Sequence, residues 1–230
     1  MDRRFRRSVL LILAACGLGA CALLPTRGPP IQEMSDARQA VQAAGEAGAD
    51  THAGLSLKRA REGLERAEDA LEGRRYDEAR REAIAAKEGA ASARRAAVAI
   101  RRAYSSIDEA ERLGGALGEA PDLLGRAQTR ARTGDDAAAV DLADQAQRLA
   151  EASLSRRYLE LARARLTQIA PQRSRLTPEE QTRYDAAQAA VTAEEGRQAY
   201  ELAKVLPVRP STRPARRTAQ PAPTPVRQPP

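Results

Sequence analysis

The chain of 230 residues has no tryptophan, one phenylalanine, one histidine and two cysteines. Phe5, Cys16 and Cys21 all fall in the first twenty-one residues, so residues 22–230 carry no thiol and can form neither a disulfide framework nor a cysteine metal site. His52 stands alone, and a histidine-based triad or a zinc site needs companions that this chain lacks. Past Phe5, five tyrosines are the only aromatic rings. That scarcity argues against aromatic sugar platforms and against the stacking surfaces of single-strand binders. Gly114-Gly115 and Gly118 follow a helical segment, with no strand before them and no Gly-Lys-Ser/Thr sequence, so no phosphate cradle is expected. These absences predict a protein that is not an enzyme, with no catalytic residue, no metal site and no cofactor.

What is present begins with a leader. Arg3, Arg4, Arg6 and Arg7 precede an apolar run from Val9 to Ala20 that ends in the small pair Gly19-Ala20. This is the layout of a secretory signal peptide over residues 1–20. Its apolar part falls short of the roughly twenty residues that a membrane-spanning helix needs. The stretch Leu18-Gly19-Ala20-Cys21 resembles the lipobox of bacterial prolipoproteins, in which the cysteine thiol takes up a diacylglyceryl group and the chain is cut just before it. Leu13-Ala14-Ala15-Cys16 also fits, with residue choices nearer the usual consensus, but cleavage there leaves an apolar core of only Val9 to Ala15. Cys21 is therefore the favoured lipidation site and Cys16 the alternative. The resemblance implies a palmitate-type acyl anchor in the cell envelope. Each buried methylene contributes about 0.8 kcal/mol, so two or three chains anchor durably. Ala22, and not Asp, follows the cysteine, and the resemblance to proteobacterial lipoproteins then implies the outer membrane, facing the periplasm, over retention in the inner one.

Charge has to be divided by segment before it means anything. The leader carries +3, Arg27 +1 and the tail from Pro207 +5, so of the formal +7 the residues 31–206 hold about −2. No basic face is expected on such a body, and nucleic acid is excluded as a partner. Residues 21–30, with Pro25, Pro29 and Pro30, form a tether behind the lipidated cysteine. Residues 207–230 hold five arginines, many prolines and no acidic residue. They are expected to be a disordered cationic strap toward peptidoglycan or anionic lipid head groups.

Between tether and tail the apolar spacing is helical throughout. Met34, Ala37, Val41, Ala44 and Gly48 alternate by three and four, as do Leu57, Ala60, Leu64, Ala67 and Leu71. From Tyr76 the stripe runs Ala79, Ala83, Ala86, Ala90, Ala93, Ala97, Ile100, Tyr104 and Ile107 without a break, a coiled-coil-like seam that predicts a third helix to about Leu113. Alanine along the seam implies a closely approaching partner helix. A fourth helix is predicted from Pro121 to Thr133 and a fifth, capped by Asp135, to about Ala170. Thr177-Pro178-Glu179-Glu180 reads as a capping box opening a sixth helix to about Glu195, and a seventh spans Arg197 to Leu206. The fold class is all-α: elongated antiparallel helical hairpins or a bundle with long alanine-rich helices. Gly73, Gly134 and Gly196, 61 and 62 residues apart, are read as the hairpin turns.

His52, beside Asp50 and Thr51, is expected in the turn before the second helix as a solvated residue. Of the acidic pairs Asp135-Asp136, Glu179-Glu180 and Glu194-Glu195, two lie at predicted helix starts, where carboxylates offset the dipole, so no acid and base pair is read there. Tyr76 and Tyr104 fall on the seam and are expected in the core. The run Met34-Ser35-Asp36-Ala37, Leu57-Lys58-Arg59-Ala60 and Gly73-Arg74-Arg75-Tyr76-Asp77-Glu78-Ala79, followed by a long alanine-rich helix, resembles an alanine-rich domain of unknown function in proteobacterial envelope lipoproteins. In some relatives that domain precedes an OmpA-like one, to which residues 114–230 bear no likeness. The expected function is that of a membrane-anchored structural or adaptor element that contacts other envelope proteins. The alternative is a binding module for an envelope ligand such as peptidoglycan or anionic lipid head groups.

Overall fold

A computed structural model describes residues 28–208, of which 85% are helical with no strand. The elements are α1 (Ile31–Glu46), α2 (Ala49–His52), α3 (Gly54–Glu72), α4 (Tyr76–Arg112), α5 (Ala120–Arg132) and α6 (Asp136–Ile169). A 3-10 segment, Ala170–Arg175, precedes α7 (Pro178–Thr192) and α8 (Gly196–Lys204). The all-α expectation holds, as does the long third helix, which has 37 residues as α4. The first predicted helix is shorter than its stripe. Gly48, at φ +83°, interrupts it, and α2 follows as a separate turn.

The helices form two compact units. The first holds residues to Glu109 together with Leu117–Ala150, and the second holds Ala110–Ala116 with the residues from Glu151 on. Alanine supplies most of the buried positions, and the largest fully buried side chains are Met34, Leu57, Ile100, Ile169, Leu206 and Pro30. An alanine interior drives folding weakly per residue, and high helix propensity makes up for it. In the first unit α3 and α4 approach closely on small residues. A methyl added at Gly63 would lie 3.4 Å from Cβ of Ala86, and one at Gly89 3.7 Å from Cβ of Ala60. In the second unit Ala162, Leu166 and Ile169 of α6 pack with Tyr184, Ala187 and Ala190 of α7 and with Ala199, Ala203 and Leu206. Tyr158 and Tyr200 add a tilted ring pair 5.4 Å apart, and Arg165 Nη2 donates to the Leu206 carbonyl at 2.7 Å.

The seam of α4 is buried at Ala79, Ala83, Ala86, Ala90, Ala93, Ala97, Ile100 and Ile107, but Tyr104 is 62% exposed. The physical reason is a second stripe. Ala96, Ala99, Ala103 and Ala110 are also buried, so the covered arc swings toward these positions and leaves Tyr104 at its edge. Tyr76 is half-buried.

Three corners in the two units share one local geometry. The left-handed residues are Arg74 (φ 56°), Gly134 (φ 83°) and Glu194 (φ 60°), sixty positions apart in each step. The next amide closes each corner by donating back: Arg75 to Ala70 at 2.8 Å, Asp135 to Arg130 at 3.0 Å and Glu195 to Ala190 at 2.9 Å. This is the Schellman closure that satisfies a helix's last carbonyls. Ala67, Ala127 and Ala187 before the corners, and Ala79, Ala139 and Ala199 after them, are all fully buried. The glycine expectation is thus corrected in detail. Gly73 keeps φ −73° as the cap of α3, and Gly196 opens α8, so only the middle corner places glycine at the left-handed position. The sixth predicted helix also ends early, at Thr192, because Glu194 turns the chain.

Candidate functional site

Cys21 and its alternative Cys16 lie outside the described residues, as does most of the tail. The other residues singled out in the sequence do not come together. His52 ends α2 and is part-buried rather than solvated. Burial, and then the positive charge of Arg101, hold its imidazole below the ordinary value of 6.5. Asp135 precedes α6 and its carboxylate accepts from the Ala138 amide at 3.3 Å. Thr177 and Glu180 form the predicted capping box, with the Thr177 amide donating to Glu180 at 2.7 Å and the Glu180 amide donating to Thr177 Oγ1 at 3.3 Å. Glu195 stands at the N-cap of α8. All three acidic pairs thus sit at or just before helix starts, where carboxylates meet the positive end of the dipole. Among the described residues, no three His, Cys, Asp or Glu side chains gather at metal-binding spacing, and no helix is long and apolar enough to cross a membrane.

Ion pairs fix α1 to its neighbours. Arg80 of α4 donates to Glu33 at 2.8 Å, Lys87 to Asp36 at 2.7 Å and Arg38 to Glu68 of α3 at 2.9 Å. Arg61 reaches both carboxylate oxygens of Asp50, at 2.7 and 3.2 Å. The hydrogen bonds from Arg80, Lys87 and Arg61 hold Glu33, Asp36 and Asp50 below the usual carboxylate range. Solvated pairs of this kind add little stability; they set register.

Two surface features remain. A small cleft in the first unit is lined by Ser56, Arg59, Gly63, Gly89, Ser92 and Asp136 among others. Asp136 is 6% exposed and its Oδ1 has no hydrogen-bond partner among the described residues, next to the positive end of α6. The second feature overturns the expectation of a body without a basic face. Between Gly89 and Ile107, α4 carries Arg94, Arg95, Arg101 and Arg102 and no carboxylate. All four are exposed. Helical spacing sets them on one face, on either side of Ala91 and Val98. Arg94, Arg95 and Arg102 line an open groove with Ala91, Val98 and Ala99, closed on its far side by Val140 and Asp144 of α6. These three guanidinium groups have no ion-pair partner among the described residues. Arg101 instead reaches back to the Ala47 carbonyl at 3.4 Å. The groove offers cationic rims over an apolar floor, an arrangement that can hold an amphipathic anionic group but has no nucleophile or proton-transfer pair.

No curated protein matches this chain, and no solved structure does. Residues 32–110 match a family described as a domain of unknown function, DUF4398, and this span runs from α1 through almost the whole of α4. The chain is therefore similar, over about a third of its length from α1 to α4, to an uncharacterised domain, and that stretch includes the three groove arginines and Arg101.

Proposed function

We propose that the protein is a lipid-anchored envelope adaptor: acyl groups on Cys21 hold it in a membrane, with the outer membrane as the expected location, and its helical faces engage other envelope proteins. The observation that carries this reading is the corner geometry at Arg74, Gly134 and Glu194. One helix-turn-helix device, used three times at equal spacing on fully buried alanines, builds a frame whose outward faces are free to vary. Such a frame suits contact rather than turnover. The cationic tail from Pro207 supports a second contact, to peptidoglycan or anionic lipid, because its five arginines carry no balancing carboxylate.

The test is site-specific photocrosslinking in intact cells. Benzoylphenylalanine is placed at exposed positions on α4 and α7, in the full chain and in the chain lacking residues 207–230. Discrete protein adducts that depend on position, and persist without the tail, fit the adaptor reading. Adducts only to glycan or lipid, all lost with the tail, would replace it with the envelope-ligand reading. Absence of any adduct would end both.

A further inference from the structure

We infer that the arginine-rimmed groove of α4 and α6 is a docking site for an acidic amphipathic helix of a partner protein. The inference rests on the adaptor reading and supplies the chemistry of its partner. Ala91, Val98, Ala99 and Val140 form a floor that an apolar stripe can cover, and Arg94, Arg95 and Arg102 stand beside it with their charges unpaired among the described residues. The stretch from Ala91 to Arg102 spans three helical turns, about 16 Å at 1.5 Å per residue, so one short helix fills it. An occupant with glutamate or aspartate beside a leucine-like stripe meets every feature of the groove at once.

A phosphate polymer fits less well. It has no apolar surface for Val98 and Val140, and Asp144 on the same wall repels a uniformly anionic chain. A bound helix can instead set a lysine or a hydroxyl against Asp144. Arginine in place of lysine also favours carboxylates, because its planar fork donates two parallel hydrogen bonds.

The test uses the chain without its lipid and a fluorescein-labelled peptide of four helical turns, leucines on one face and glutamates on both flanks. Three comparison probes are a scrambled peptide of the same composition, a peptide with lysines replacing the glutamates, and vesicles of phosphatidylglycerol. Fluorescence anisotropy should show saturable binding of the glutamate peptide, weakened at least about tenfold by Arg95→Glu with Arg102→Glu, and weakened by salt. The scrambled peptide should bind at least about tenfold less tightly, since only the ordered stripe reaches the floor. The lysine peptide should ignore the native groove and bind the doubly reversed variant, a gain that loss of folding cannot produce. Equal binding of the scrambled peptide, no binding of the glutamate peptide, or no rescue by the lysine peptide overturns the inference. Vesicle binding that displaces the glutamate peptide and is lost in the doubly reversed variant overturns it in favour of a lipid surface. Failure here with protein adducts still forming from other helix faces in cells would remove this site and leave the adaptor reading standing.

Discussion

Gly196→Ala should destabilise the second unit, although the same change stabilises most helices. Gly196 is the first residue of α8, and a methyl group there would press into the backbone of Ser155 on α6. The Ser155 carbonyl carbon and Oγ would both lie 3.2 Å away, with the carbonyl oxygen nearer still. Backbone atoms inside a helix cannot swing aside as a side chain can. Helix α8 must therefore move off α6, which loosens Ala199, Ala203 and Leu206, all fully buried. Alanine gains roughly 0.5–1 kcal/mol over glycine in a helix from reduced backbone entropy, and overpacking costs about 1–3 kcal/mol. The clash wins, for a net loss of about 1–2 kcal/mol. Gly125 supplies the control. It lies within α5 and a methyl there meets nothing within 4 Å, so Gly125→Ala should gain roughly 0.5–1 kcal/mol. Urea unfolding followed by tyrosine fluorescence reads the second unit well, because Tyr158, Tyr184 and Tyr200 belong to it. Circular dichroism reports on both units. Stabilisation by both substitutions would refute the close approach of α8 to Ser155.

Ala93→Leu should cost about 1–3 kcal/mol by overpacking the α4 seam, while Tyr104→Ala should stay within about 0.5 kcal/mol; equal effects in thermal melts would return Tyr104 to the core. At the corners, Arg74→Gly should raise stability by about 1 kcal/mol and Gly134→Ala lower it by about 1–2 kcal/mol, since a side chain at positive φ is strained and glycine is not. Opposite signs in denaturation midpoints would contradict the shared corner geometry. His52 has its pKa lowered in the folded chain by burial and by Arg101. Its contribution to stability is therefore complete above the unfolded value near 6.5 and is lost as pH falls toward the folded pKa. His52→Gln should flatten the pH dependence of stability just below pH 6.5, and an unchanged slope in midpoints between pH 7 and 5 would show that the imidazole is not involved.

Much of the fold was legible because its signals are local. Thr177-Pro178-Glu179-Glu180 forms the predicted capping box since capping needs only four consecutive residues. The alanine stripe from Ala79 to Ile100 was legible because helical period alone fixes which residues share a face. Tyr104 was not, because a second neighbouring helix shifts the buried arc and a single stripe cannot report two partners. The corners at Arg74 and Glu194 leave no mark in the sequence, because positive φ is easy for the nearby glycines and rare for the residues that adopt it. The groove is hidden for another reason. A net charge near −2 over residues 31–206 averages away a face, whereas the run from Gly89 to Ile107, with four arginines and no carboxylate, held the signal.

The anchor is the claim on which localisation, partners and the role of the helical frame all depend. Intact-mass and fragment mass spectrometry of the protein extracted from cell membranes tests it directly. The chain should begin at Cys21 and carry a diacylglyceryl thioether on Sγ, and Cys21→Ser should release the protein from membranes. Acyl groups on Cys16 would move the anchor to the alternative site, and an unmodified thiol at both positions in a membrane-extracted chain would show that no lipid on either cysteine holds the protein.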